Sequence, residues 1–222
     1  MVSSLCHAQY SNHQLYEAYI TRDMSVWEQY IDSADWENMN LEQRKQLLNY
    51  EYGFSAYMLG VDVEKSKRLI QRFATHLELM KSELPEERYC TYLASVYTYQ
   101  LALDKSQLMK YAKRIYSNIE RAMELNPNDP FVLSMQGNVE FYSPFGNKKT
   151  ALGYYQKADS LYGIAGADYE RWNRRAVQMT YIHCLNKQRR GEEAITLCEK
   201  LLAEEPNNVN FQRLLEELHA RD

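Results

Sequence analysis

The chain is poor in the residues that punctuate sheets. Its 222 residues include only 8 glycines and 5 prolines, too few for the tight turns of a many-stranded sheet. No stretch alternates apolar and polar residues strictly enough to read as a strand. The four cysteines, Cys6, Cys90, Cys184 and Cys198, form no CxxC pair, which excludes a disulfide framework and a zinc module. Cys184 and Cys198 flank one expected helical turn, so they are either two small core residues or a facing pair.

Other absences narrow the function. No apolar run approaches the ~20 residues of a membrane helix, so no transmembrane segment is expected. The 26 Lys and Arg against 30 Asp and Glu leave a net charge of −4, and without a global basic field nucleic acid is not an expected partner. HExxH, GxGxxG, P-loop and nucleophile-elbow motifs are all missing. The five histidines, His7, His13, His76, His183 and His219, show no metal-ligand spacing. Acid pairs such as Glu86-Glu87 and Glu192-Glu193 fall at helix starts, where the macrodipole favours them. The reading is a protein that is not an enzyme and needs no cofactor or metal. A scattered catalytic constellation on an all-α scaffold is the alternative.

What the chain does have is helix starts and stops in regular succession. Residues 121–138 read RAMELNPNDPFVLSMQGN. Pro127 lacks an N–H and disfavours helix at Asn126, so one helix ends there. Asp129 is a good N-cap and Pro130 suits the first helical position, so the next starts at once. A connection this short makes the two helices packed neighbours.

The same punctuation recurs along the chain. A capping-box pattern at 11–14 opens a first helix through Ile31, and another at 40–43 opens a second, to Leu59. Asp62 caps a third and Pro85 opens a fourth, through Leu103. Residues 104–107 cap a fifth, ending at Pro127. Helices over 130–142, 148–162, 167–187, 192–204 and 209–218 complete ten. The fold class is all-α. Residues 11–222 read as a single helical domain and residues 1–10 as a flexible N-terminus.

Cys6-His7-Ala8 before Gln9 has the small-x-small form of a signal-peptidase site, although a charged n-region and a full apolar h-region are missing. Two readings stand. The chain is cytoplasmic as written, or it is exported, to the periplasm for instance, with Met1 to Ala8 the remnant of a signal peptide.

Two segments carry a family likeness. In 131–162, Gly137 is a small residue in one helix, and Ala151 and Ala158 stand seven apart in the next with Tyr155 between them. In 191–206, Ala194 is again a small residue and Pro206 a terminal proline, which 131–162 lacks, while Leu201 replaces the second alanine; Ala122 and Pro127 match in the same way in 111–127. This resembles the tetratricopeptide repeat, a pair of antiparallel helices about 34 residues long, most clearly over 105–206. The turn at 143–149 is longer than the repeat's by about two residues, Ala151 and Ala194 stand further apart than one period, and residues 1–84 match only in being helical.

The resemblance implies a right-handed α–α superhelix of about five helical hairpins, which holds a protein or peptide partner in its concave groove without catalysis. It places Ser134, Asn138 and Phe141 on the inner face, with Tyr142 beside them. Ser134 stands where a carboxylate-clamping repeat would carry lysine, so that clamp is not supported. Tyr99, in a helix that also holds Tyr89, Tyr92 and Tyr97, is either a core filler or a groove residue. Arg171 and Arg174 share a helix face with Arg175 and Gln178, either a solvated face or a carboxylate-binding stripe. An exported, envelope-associated assembly factor on the same repeats is the second functional reading. The pattern specifies no oligomeric state.

Overall fold

A computed structural model describes residues 10–220 of the chain. Eleven α-helices and no strand occur among these residues, and the signal-peptide reading of Met1 to Ala8 lies outside them. The helices are α1 (Asn12–Thr21), α2 (Ser25–Asp32), α3 (Leu41–Leu59), α4 (Val63–Leu79), α5 (Glu86–Leu103), α6 (Leu108–Leu125), α7 (Pro130–Tyr142), α8 (Lys148–Ala165), α9 (Arg171–Lys187), α10 (Gly191–Glu204) and α11 (Val209–His219).

The expected caps at Ser11, Asn40, Asp62 and Asp129 form, whereas Asp104 caps a short 3-10 turn over Lys105–Gln107 and α6 starts after it with no side-chain cap. Ser11 and Gln14 exchange hydrogen bonds across the start of α1, and Asn40 and Gln43 do so at α3. Asp129 accepts from the amides of Phe131 and Val132, at 2.8 and 3.0 Å, and starts α7 with Pro130 in its first turn. The expected first helix is in fact two. Arg22 takes a left-handed conformation (φ 63°) and ends α1, which lets α2 turn back beneath it. The Trp27 indole then donates to the Leu15 carbonyl at 2.7 Å. Apolar spacing did not reveal this break, because the buried side chains keep helical register on both sides of it.

Helices α3–α4, α5–α6, α7–α8 and α9–α10 form successive antiparallel hairpins, each packed on the next, and α11 closes on α9 and α10. Small residues sit where paired helices cross. Gly137 meets the Tyr155 ring so closely that a Cβ would lie 2.7 Å from it, and Ala122, Ala151, Ala158 and Ala194 are fully buried. The α3–α4 hairpin uses serines instead: Ser55 and Ser66 are fully buried, and the Ser66 hydroxyl donates to the Ser55 carbonyl. The small residues at this crossing are therefore polar, unlike the glycine and alanines of the later hairpins. Cys184 and Cys198 are separate free thiols, turned to the carbonyls of Lys148 and Phe211 respectively.

The aromatic content is largely core. A larger apolar cluster runs from α3 to α11, a smaller one joins α1, α2 and α3 to Trp172, and Tyr52 packs against both. Burial is the largest cause that pushes the hydroxyls of Tyr16, Tyr52 and Tyr169 up to about 12. Unfolded tyrosines ionise near pH 10, so the folded state holds these protons more tightly. Their contribution to stability is complete below about pH 10 and is lost as pH rises toward 12. An alkaline titration should show most phenolate absorbance appearing together with loss of helical circular dichroism above pH 10. Ionisation of most tyrosines near pH 10 with the helices intact would contradict this burial.

Candidate partner-binding face

The axis-facing stripe of α7 is Phe131, Met135, Asn138 and Tyr142, spaced four, three and four residues apart so that they share one helix face. Its first half is already covered by the chain itself. The Tyr52 ring of α3 stands edge-on to Phe131 at 5.2 Å, and its hydroxyl lies 3.7 Å from the Met135 sulfur. Tyr99 of α5 donates to the Tyr52 carbonyl at 3.1 Å.

Across the axis, α3 is locked to α9. The side-chain amides of Asn49 and Asn173 exchange hydrogen bonds at 2.9 and 3.0 Å. Gly53 presents bare backbone to the Trp172 indole, which packs edge-on to Trp27 at 5.1 Å. Arg88 of α5 adds a buried charge tie. Its guanidinium reaches Asp129, the α7 cap, and Glu170, just before α9.

The N-terminal helix covers the next stretch of the inner face. The Tyr16 hydroxyl donates to Glu205 at 2.5 Å and accepts from Arg175 at 3.0 Å. Arg22 reaches the Asn210 side chain, whose amide donates to the Tyr19 carbonyl. Tyr19 in turn meets the Met179 sulfur at 3.8 Å. Helix α1 therefore lies along α9 and α11 and ties residues 16–22 to residues 205–210.

The expected site residues separate into three groups. Ser134 and Tyr99 are inside the fold, and the Ser134 hydroxyl bonds back to the Phe131 carbonyl. Arg171 is exposed and lies over the Tyr16 ring at 3.9 Å, whereas Arg174 pairs with Asp159 of α8 at 2.7 Å, so the two arginines serve different contacts. Asn138, Phe141 and Tyr142 do come together. Phe141 is buried against the Tyr142 ring at 4.7 Å, Asn138 accepts from the Tyr155 hydroxyl at 2.9 Å, and Tyr142 is 68% exposed beside Thr180 of α9. A surface groove of about 640 Å³ between α4 and α5 touches none of these residues.

Sequence reasoning missed the self-covering of the axis. One signal was present. A glycine inside the helical pattern at 53, between Tyr52 and Phe54, loses about 1 kcal/mol against alanine unless packing requires it. Nothing comparable marks Arg88 or Tyr16, whose partners are remote in sequence.

No protein-family model matches the chain, and no curated protein does. Solved structures do match in shape. A thermophilic TPR protein of Thermus thermophilus superposes with a TM-score of 0.61 at 15% identity, over 94% of this chain and 95% of that one. The HusA haemophore of Porphyromonas gingivalis superposes with a TM-score of 0.57 at 15% identity, over 84% of this chain and 96% of that one. The chain has a tetratricopeptide-like fold, an all-α superhelix of helical hairpins.

Two glycine substitutions test the closure. In Gly53→Ala the new methyl would fall 2.5 Å from the Trp172 ring and 2.9 Å from Trp27. The expected cost is about 1–3 kcal/mol in urea unfolding, with altered tryptophan fluorescence. Gly153 is exposed in the interior of α8, and a Cβ added there would meet nothing within 4 Å. Gly153→Ala should stabilise by about 0.5–1 kcal/mol. Equal effects of the two changes would remove the special role of Gly53.

Proposed function

We propose that this chain is a non-catalytic scaffold that holds a protein or peptide partner at the uncovered end of its inner face. The observation that carries the reading is Tyr142, a large aromatic left 68% exposed on the same stripe as Phe131 and Met135. The chain's own α3 ends its covering of that stripe at Met135. Phe141 backs the Tyr142 ring and holds it in place. A rigid aromatic with a polar tip is the type of side chain that dominates binding energy in interfaces. Asn138 contributes a half-buried amide next to it. Arg171 lies on the neighbouring inner helix, with its guanidinium stacked on α1.

Tyr142→Ala is the change that separates binding from folding. Asn138→Ala is less clean, because it leaves the buried Tyr155 hydroxyl without its acceptor, at a cost of about 1–3 kcal/mol. With affinity-tagged chain and native extract, wild type should retain a specific protein, and Tyr142→Ala should reduce retention at least tenfold, as for a hot spot of about 2 kcal/mol. The melting temperature should fall by no more than a few degrees, from the lost contacts with Phe141 and Thr180. Undiminished capture by Tyr142→Ala would place the partner elsewhere. The Porphyromonas gingivalis neighbour is named a haemophore, so haemin titration of the same two proteins is the companion measurement. Haemin binding that Tyr142→Ala abolishes would replace the peptide with a flat porphyrin ligand.

A further inference from the structure

A second surface differs from this face in both position and chemistry. The turn at 143–149 extends past the helix ends and carries Phe145 at its tip, 93% exposed. This turn is internally braced. The Phe145 amide donates to the Ser143 hydroxyl, and the Asn147 amide donates to the Glu140 carboxylate at 2.7 Å. Gly146 packs so tightly on the Glu140 carbonyl that no Cβ would fit. A fixed turn thus presents an aromatic ring to solvent.

Tyr116 of α6 meets the Ser143 hydroxyl at 2.5 Å, which brings α6 alongside the turn. Met109, two helical turns before Tyr116 on the same side of α6, is 84% exposed. Two large apolar side chains therefore stand out from one edge of the solenoid, the edge where the first helix of each hairpin passes into the second.

That edge is basic in a chain whose net charge is −4. Residues 103–114 and 140–149 hold Lys105, Lys110, Lys113, Arg114, Lys148 and Lys149 against two carboxylates, Asp104 and Glu140. Both carboxylates accept from backbone amides of their own turns, Asp104 from Ser106 and Glu140 from Asn147. None of the six cations takes part in an ion pair among the described residues. The adjoining α9–α10 turn adds Lys187, Arg189 and Arg190 against Glu192 and Glu193, of which Glu193 pairs with Arg190, and it is joined to α8 by the Gln188 bond to the Lys148 carbonyl. The opposite edge carries Glu83, Glu86, Glu87, Glu124 and Glu204 against Lys81 and Arg121, with Arg121 paired to Glu86 and Glu124 and Arg44 to Glu83, so acids outnumber cations there and the charge is separated across the molecule.

We propose that this edge docks on an anionic lipid surface, with Phe145 and Met109 entering the interfacial layer and the lysines lying over the headgroups. Charge complementarity gives the sign of the partner. Apolar tips that stand out singly, Phe145 from a loop and Met109 from the start of α6, suit a fluid plane better than a shaped protein surface. The separated charge orients the molecule, with its acidic edge away from the bilayer.

The test is flotation of the whole chain with vesicles of phosphatidylcholine alone, or with about one-third phosphatidylglycerol. Wild type should float with the anionic vesicles only, and high salt should weaken this. Phe145→Ser with Met109→Ser should lower partitioning about tenfold or more. Lys148→Glu with Lys149→Glu should do the same. All four side chains are exposed, so melting temperatures should hold. Tyr142→Ala should float like wild type, which keeps this result distinct from the inner-face reading. Failure of wild type to float overturns the proposal. So does flotation unaffected by the Phe145 and Met109 changes, which would be adsorption by charge alone.

Discussion

The contact on which the rest of the structure depends is the indole of Trp172 seated on the bare backbone of Gly53. It joins the first complete hairpin to the fourth. A solenoid whose repeats touch only their neighbours leaves an open axis. Here the axis closes, because an aromatic cluster of Trp27, Tyr50, Tyr52 and Trp172 fills it. The reciprocal amide pair Asn49–Asn173 fixes the register of that closure. Such a pair is fully satisfied only at one offset, so it specifies an arrangement that apolar packing alone would leave free to slide.

Two further ties follow from this closure. Helix α1 crosses to α9 and α11 because the Tyr16–Arg175–Glu205 group offers a charged hydrogen-bonded anchor at the right distance. Arg88 holds the α7 cap and the approach to α9 from beneath, with Asp129 and Glu170 as its two carboxylates. A buried cation flanked by two acids loses far more when one partner is removed than the intact group contributes over apolar substitutes. These ties make the N-terminal helices part of the scaffold. They also decide how much inner face remains, namely the end of α7 that holds Asn138 and Tyr142.

Much of this was legible locally. The caps at Ser11, Asn40, Asp62 and Asp129 each act within three residues, so the sequence shows both partners at once. The small residues Gly137, Ala151, Ala158 and Ala194 announced helix crossings, whereas Ser55 and Ser66, which do the same work in the α3–α4 hairpin, did not stand out from polar surface serines. The break at Arg22 was hidden because a left-handed cap needs no glycine. Of the expected site residues, Asn138, Phe141 and Tyr142 stand together because they lie within five positions on one helix. The family resemblance puts Ser134 on the inner face, and helical spacing leaves Tyr99, Arg171 and Arg174 between groove and core or solvated positions, because neither says what covers a given side of a helix.

The sequence by itself determined an all-α chain of paired helices with short turns, because those properties arise from capping, proline placement and apolar spacing within a few residues. Only the tertiary structure decided that the axis is filled and which inner surface stays free. Those outcomes depend on pairs such as Gly53 with Trp172 and Tyr16 with Glu205, whose members are remote along the chain and carry no local mark of each other. Non-local contacts of this kind are settled by shape and charge in three dimensions, after the helices already exist.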